Sequence, residues 1–122
     1  MTALPAIDLQ PGQYLLVQQA KGAGGTQDLP TPDAAGSLVM SGTAGKVLLS
    51  NSKTAQVGAS PTDAAVIDLV GFGTANGFEG NVAPAPSSTL SIARANGSCG
   101  DTDDNGMDFA SGSMTLPTSM AS

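Results

Sequence analysis

Ten residues, Ala64-Ala65-Val66-Ile67-Asp68-Leu69-Val70-Gly71-Phe72-Gly73, limit the fold more than any other stretch of the chain. Val66, Ile67 and Val70 are β-branched, and Gly71 and Gly73 close the run. Such a segment predicts a buried central strand that enters a wide turn. A helix over 64–70 is the rival reading, because Thr62 or Asp63 could cap it. The β-branched content and the Gly-Phe-Gly ending favour the strand.

The remaining apolar segments are shorter and punctuated by turn residues. Pro11-Gly12 is a turn signal, with proline fixing φ and glycine supplying a left-handed position. The segment 13–19 reads as a strand carrying Tyr14, a core or interface ring. Glycines at 22, 24 and 25 and prolines at 30 and 32 block ladders and helices, so 21–35 is a surface excursion. Gly22-Ala23-Gly24-Gly25 matches neither phosphate-binding glycine fingerprint. Segments 36–41 and 46–51, separated by Gly42-Thr43-Ala44-Gly45, fit a hairpin. Prolines 84 and 86 mark another irregular connection. Thr89-Leu90-Ser91-Ile92-Ala93-Arg94 alternates polar and apolar side chains as a half-buried strand does. Short strands with turns and no convincing helix point to an all-β sandwich or barrel.

Composition narrows the function classes. Of 122 residues, 11% are charged and 3% aromatic, which argues against long surface helices. A mean hydropathy of +0.08 and several apolar runs argue against a disordered chain. Ten carboxylates against four basic groups give a net charge of −6, and Lys21, Lys46, Lys53 and Arg94 are scattered. A nucleic-acid partner needs a concentrated basic face, so none is expected. The chain has no His and one cysteine, Cys99, which removes intrachain disulfides, Cys/His zinc sites and His-dependent catalysis. No basic group activates Cys99. Asp68 and Glu79 could be imagined as paired hydrolase carboxylates, but nothing fixes their separation. Asn96-Gly97-Ser98 is a glycosylation sequon. No run approaches the roughly 20 apolar residues of a membrane span. Residues 1–10 lack the basic start and apolar core of a secretory leader. A leader is therefore expected to have been trimmed from a longer precursor, unless the chain is cytosolic.

Two groups of side chains stand out as sites. Asp101, Asp103, Asp104 and Asp108 lie within eight residues, and Asp101-x-Asp103-x-Asn105-Gly106 matches the first half of a calcium loop. Asp101, Asp103, Asn105 and Asp108 are thus the candidate Ca²⁺ ligands. The twelfth loop position is Gly112 where a bidentate Glu is required, so backbone carbonyls or another chain would have to complete the site. The alternative is a solvated turn in which Asp and Asn cap their own backbone amides. Asp68, in the middle of the central strand, points outward by simple alternation. If buried it requires a partner, and Arg94 is the one whose guanidinium can bridge it, a structural role.

An ordered series of segments resembles the bacterial extracellular lamin-tail domain. It comprises Gln10-Pro11-Gly12-Gln13-Tyr14-Leu15-Leu16-Val17, Leu29-Pro30-Thr31-Pro32-Asp33-Ala34, Thr43-Ala44-Gly45-Lys46-Val47 and Val66-Ile67-Asp68-Leu69-Val70-Gly71-Phe72-Gly73. Phe78-Glu79-Gly80, Ser91-Ile92-Ala93-Arg94 and 101–109 continue it. The resemblance implies an immunoglobulin-like β-sandwich of short antiparallel strands with long Gly/Pro-rich loops. It would cover 1–110, with 111–122 as a small polar tail. It also implies a non-catalytic, secreted or cell-surface binding or attachment module. Members commonly carry a cysteine pair where Ser60 and Gly77 stand here, and begin with strands ahead of the Pro-Gly turn that this sequence lacks. A strand from a second copy or a partner is therefore expected to fill that place. Two other readings stay open: a structural subunit assembling by strand complementation into a fibre or oligomer, and an accessory fragment of a secreted nuclease.

Overall fold

Among its described residues, the computed structural model of the chain contains six strands and one helical turn. These are β1 (Val17–Gln18), β2 (Ala34–Ala35), β3 (Gly45–Ser50), β4 (Val66–Phe72), β5 (Leu90–Arg94), α1 (Asn105–Asp108) and β6 (Phe109–Ser113). The structure describes residues 1–95, 100–113, 117, 119 and 120. The chain is all-β, and its described strands pair in three two-stranded sheets. It divides into two compact units, Met1–Met40 with Thr115–Ser122, and Ser41–Met114.

In the first unit the Pro-Gly signal forms a turn in which Gln13 N–H donates to Gln10 O at 3.0 Å and Gly12 has φ +86°. That is the type II geometry glycine permits at the third turn position. Of the strand expected over 13–19, only β1 forms a ladder, and it runs parallel to β2 with Val17 opposite Ala34. Asp33 anchors the pair: its Oδ2 accepts from Leu16 N–H at 2.7 Å and from Met120 N–H at 3.0 Å. Leu16 is the buried apolar residue here, whereas Tyr14 is half exposed and is not a core ring.

The second unit is built on β4. It pairs antiparallel with β3, placing Val47 opposite Val70, Leu48 opposite Leu69 and Gly45 opposite Phe72, with a register slip between Leu49 and Ser50. The expected hairpin of 36–41 with 46–51 does not form. Leu38, Val39 and Met40 are exposed, and β3 takes the apolar ladder that β4 offers downstream. The helix-cap signal at Asp63 is a local turn instead, with Oδ1 accepting from Ala65 N–H at 2.7 Å just before β4 begins. Gly45 leaves room for the Phe72 ring, since a Cβ there would sit 3.1 Å from Cζ. Leu69, Phe72 and Ala83 form the buried apolar centre. Ala83 bridges to β4 by donating to Gly71 O at 2.9 Å and accepting from Gly73 N–H at 3.1 Å. β5 pairs antiparallel with β6, so Ser111, Gly112 and Ser113, expected to open a loose tail, lie in a sheet.

Candidate functional site

Every polar group of interest in the second unit meets the ends of β4, β5 and the loop around α1. Arg94 closes β5 opposite Phe109. That cross-strand pairing sets the guanidinium carbon 4.7 Å from the ring centroid, within cation–π range. Its Nη2 donates to Asp68 Oδ2 at 2.7 Å, and Nη1 donates to Asp108 Oδ2 at 3.2 Å and to Gly100 O at 3.0 Å. Asp101 Oδ1 lies 3.6 Å from Nη1. The arginine side chain is 15% exposed and that of Asp108 4%. Burial works against the guanidinium charge, but the carboxylates of Asp68, Asp101 and Asp108 outweigh it and hold the Arg94 pKa above its ordinary value. Asp108 also accepts from Thr102 N–H at 2.9 Å and from Thr102 Oγ1–H at 2.8 Å. The Thr102 amide, with Arg94 beside it, keeps the Asp108 carboxyl below the usual range.

Asn105 is fully buried and takes the place of a strand along the outer edge of β4. Its Oδ1 accepts from Gly71 N–H at 2.8 Å and Glu79 N–H at 3.1 Å. Its Nδ2 donates to Leu69 O at 3.0 Å and Glu79 Oε2 at 3.4 Å. The side-chain amide thus satisfies backbone groups that would otherwise be buried without partners. Asp104 caps α1 by accepting from Met107 N–H at 3.1 Å and also holds Asn81 through its Nδ2 at 2.8 Å. These bonds lower the Asp104 pKa, that from Asn81 most. Together they lock the 79–81 turn to the 104–106 turn.

This locking brings Glu79 to Asp101 and Asp103, with one carboxylate oxygen from each within 4.8 Å of the others. Two oxygens each about 2.4 Å from a shared Ca²⁺ stand at most about 4.8 Å apart, a limit that every pair of the three groups meets. Partial burial and then the charges of Asp68, Asp101 and Asp103 push the Glu79 carboxyl above its ordinary value. Asp68 Oδ1 is buried without a hydrogen-bond partner among the described residues. Asp103 sits at φ +56°, and its N–H donates to Asp101 Oδ1 at 3.3 Å.

The four residues that the calcium-loop pattern selects are therefore divided. Asp101 and Asp103 converge, while Asn105 holds backbone and Asp108 holds Arg94 and Thr102. Glu79 joins the first two although it lies outside the pattern; the sequence sets it beside Asp68 as an imagined hydrolase pair and gives no sign of this grouping. Asp68 does not point freely outward; it is half buried and bonded to Arg94. Cys99 and the sequon at 96–98 lie outside the described residues. In the first unit an open groove of about 440 Å³ is lined by Val17, Gln18, Lys21, Asp28 and Leu29 among others. Its two charges, Lys21 and Asp28, pair with each other at 2.9 Å. No helix of the described residues is long and apolar enough to cross a membrane. Comparison with protein families, curated proteins and solved structures finds no match to this chain.

Proposed function

We propose that this chain is a non-catalytic extracellular attachment module, an immunoglobulin-like β-sandwich of the kind the lamin-tail resemblance implies. One observation carries the reading: its polar and apolar groups are distributed as in a docking protein. Arg94, Asp108 and Asn105 are bonded to neighbouring side chains and backbone, while Val47 and Leu49 stand exposed on one face of β3. Exposed apolar groups that adjoin one another mark contact surfaces. Glu79, Asp101 and Asp103 hold Ca²⁺ in this reading, and the ion stiffens the loop that carries them. Two measurements test it. Calorimetry with Ca²⁺ should give heat for the chain and none for Asp103→Ala. Assays with bis(p-nitrophenyl) phosphate and single-stranded DNA, in Ca²⁺ or Mg²⁺, should give no turnover; hydrolysis abolished by Glu79→Gln would replace the attachment reading with the nuclease one.

A second reading, a subunit that assembles by strand complementation, is favoured by the two-stranded β3–β4 sheet, in which Lys46 and Leu48 keep backbone groups without partners among the described residues. Filaments or rings in negative-stain micrographs would raise it above the first.

A further inference from the structure

The two long edges of the β3–β4 sheet are finished differently. Gly71 turns its N–H to Asn105 and its carbonyl to Ala83, and Leu69 turns its carbonyl to Asn105, all on the side away from β3. Lys46 opposite Gly71 and Leu48 opposite Leu69 are therefore the non-hydrogen-bonded pairs of the ladder. It follows that the N–H and C=O of Lys46 and Leu48 face outward along the far edge of β3. Among the described residues none of these groups has a partner. Val47 and Leu49 lie beside them on one face, both exposed.

The chain as a whole also exposes more surface than a compact fold of its size. The chain exposes 8185 Å². A folded chain of 11.9 kDa exposes roughly 5,900 Å², and two separate bodies with the lengths of the two units roughly 7,100 Å². The excess over the larger figure, about 1,000 Å², is close to the roughly 800 Å² that each partner contributes to a standard interface.

We infer that β3 pairs antiparallel with β3 of a second copy about a two-fold axis, giving the continuous sheet β4–β3–β3–β4. The inference rests on the self-assembly reading and supplies its partner and its contact. A two-fold axis makes the pairing isologous, so whatever β3 offers must complement itself. The register that uses the whole strand sets Leu48 opposite Leu48 of the second copy. Lys46 then faces Ser50, and Val47 faces Leu49 twice, which covers both exposed side chains and opposes no like charges. Of the neighbouring symmetric registers, that centred on Val47 leaves Leu49 facing Gly45 and that centred on Leu49 leaves Val47 facing Asn51.

Sedimentation velocity on the full chain tests this at micromolar concentration. The native chain should sediment as a dimer or a larger even oligomer. Val47→Lys with Leu49→Lys sets lysines against each other across the axis and should weaken association about a hundredfold. Val39→Lys with Val57→Lys adds the same charge elsewhere and should leave it unchanged. An oligomer indifferent to the first pair of lysines overturns the β3 contact while leaving self-assembly standing; a native monomer overturns both. A second measurement guards against misfolding of the lysine variant. Leu48→Cys in a Cys99→Ser background should form an intermolecular disulfide, since facing Cα atoms in that position lie about 5.5 Å apart. Cross-linking at Val57→Cys but not at Leu48→Cys would refute the register.

Discussion

Two ion pairs in this molecule have nearly the same length. Lys21 lies 2.9 Å from Asp28 and Arg94 lies 2.7 Å from Asp68. The first pair is 65% and 88% exposed, its members belong to one loop, and water competes for both charges. The second is mostly buried, joins strands 26 residues apart, and shares its guanidinium with Asp108, Gly100 and the Phe109 ring. Distance alone does not distinguish them; surroundings do. Exposed pairs contribute about 0–1 kcal/mol, while removing one partner of a buried pair strands the other charge.

The largest expected effect belongs to a neutral group, which sets the scale for both pairs. Asn105→Ala leaves Gly71 N–H, Glu79 N–H and Leu69 O without partners in a buried place, and should cost about 3–5 kcal/mol in urea unfolding. Arg94→Met should follow at about 2–4 kcal/mol, reduced from the fully buried case because Asp68 retains some solvent contact. A loss below that of Lys21→Met would break the comparison. Gly71→Ala should cost about 1–3 kcal/mol, because the Gly77 carbonyl and Phe78 Cβ occupy the space that a new methyl needs.

Glu79→Gln sharpens the electrostatic side. A carboxyl whose folded pKa is raised binds more protons folded than unfolded, so stability falls as pH rises from its ordinary value of 4.5 through the folded one. The glutamine variant should therefore melt higher than the native chain at pH 7 without calcium, and the gain should vanish near pH 4. Asp108 works the other way. Its lowered pKa contributes stability above the ordinary 3.8 that is lost as pH falls through the folded value, so Asp108→Asn should flatten the acid limb. Lys21→Met closes the series, with a change within about 0.5 kcal/mol.

What could be read from the sequence was local. Pro11-Gly12 specifies its turn without help from the rest of the chain. The β-branched run 64–73 announces β4, but alternation aims Asp68 outward, and its pairing with Arg94 follows only from the assembly of strands 26 residues apart. The partner of β3 was not legible, because Gly42-Thr43-Ala44-Gly45 permits a hairpin that β4 outcompetes with a better apolar ladder. Asn105 was hidden for a related reason. An asparagine between Asp104 and Gly106 has the composition of a solvated turn, and only contacts 26 to 36 residues away make it a core residue. Glu79 meets Asp101 and Asp103 through the same long-range bonds, which no spacing rule records.

The placement of Asn105 has a chemical consequence. An asparagine followed by glycine is the sequence most prone to deamidation, because the unhindered Gly106 nitrogen can attack the side-chain carbonyl carbon and form a succinimide. Here that nitrogen is tied to Asn81 O at 2.8 Å, and the side-chain amide is held on four sides. The native state thus shields this Asn-Gly bond, whereas the exposed Asn76, which also precedes a glycine, has no such burial. Each unfolding releases that protection, and conversion to aspartate or isoaspartate removes the donor that Leu69 relies on. Ageing at Asn105 is therefore paced by how often the protein opens, while ageing at Asn76 is not.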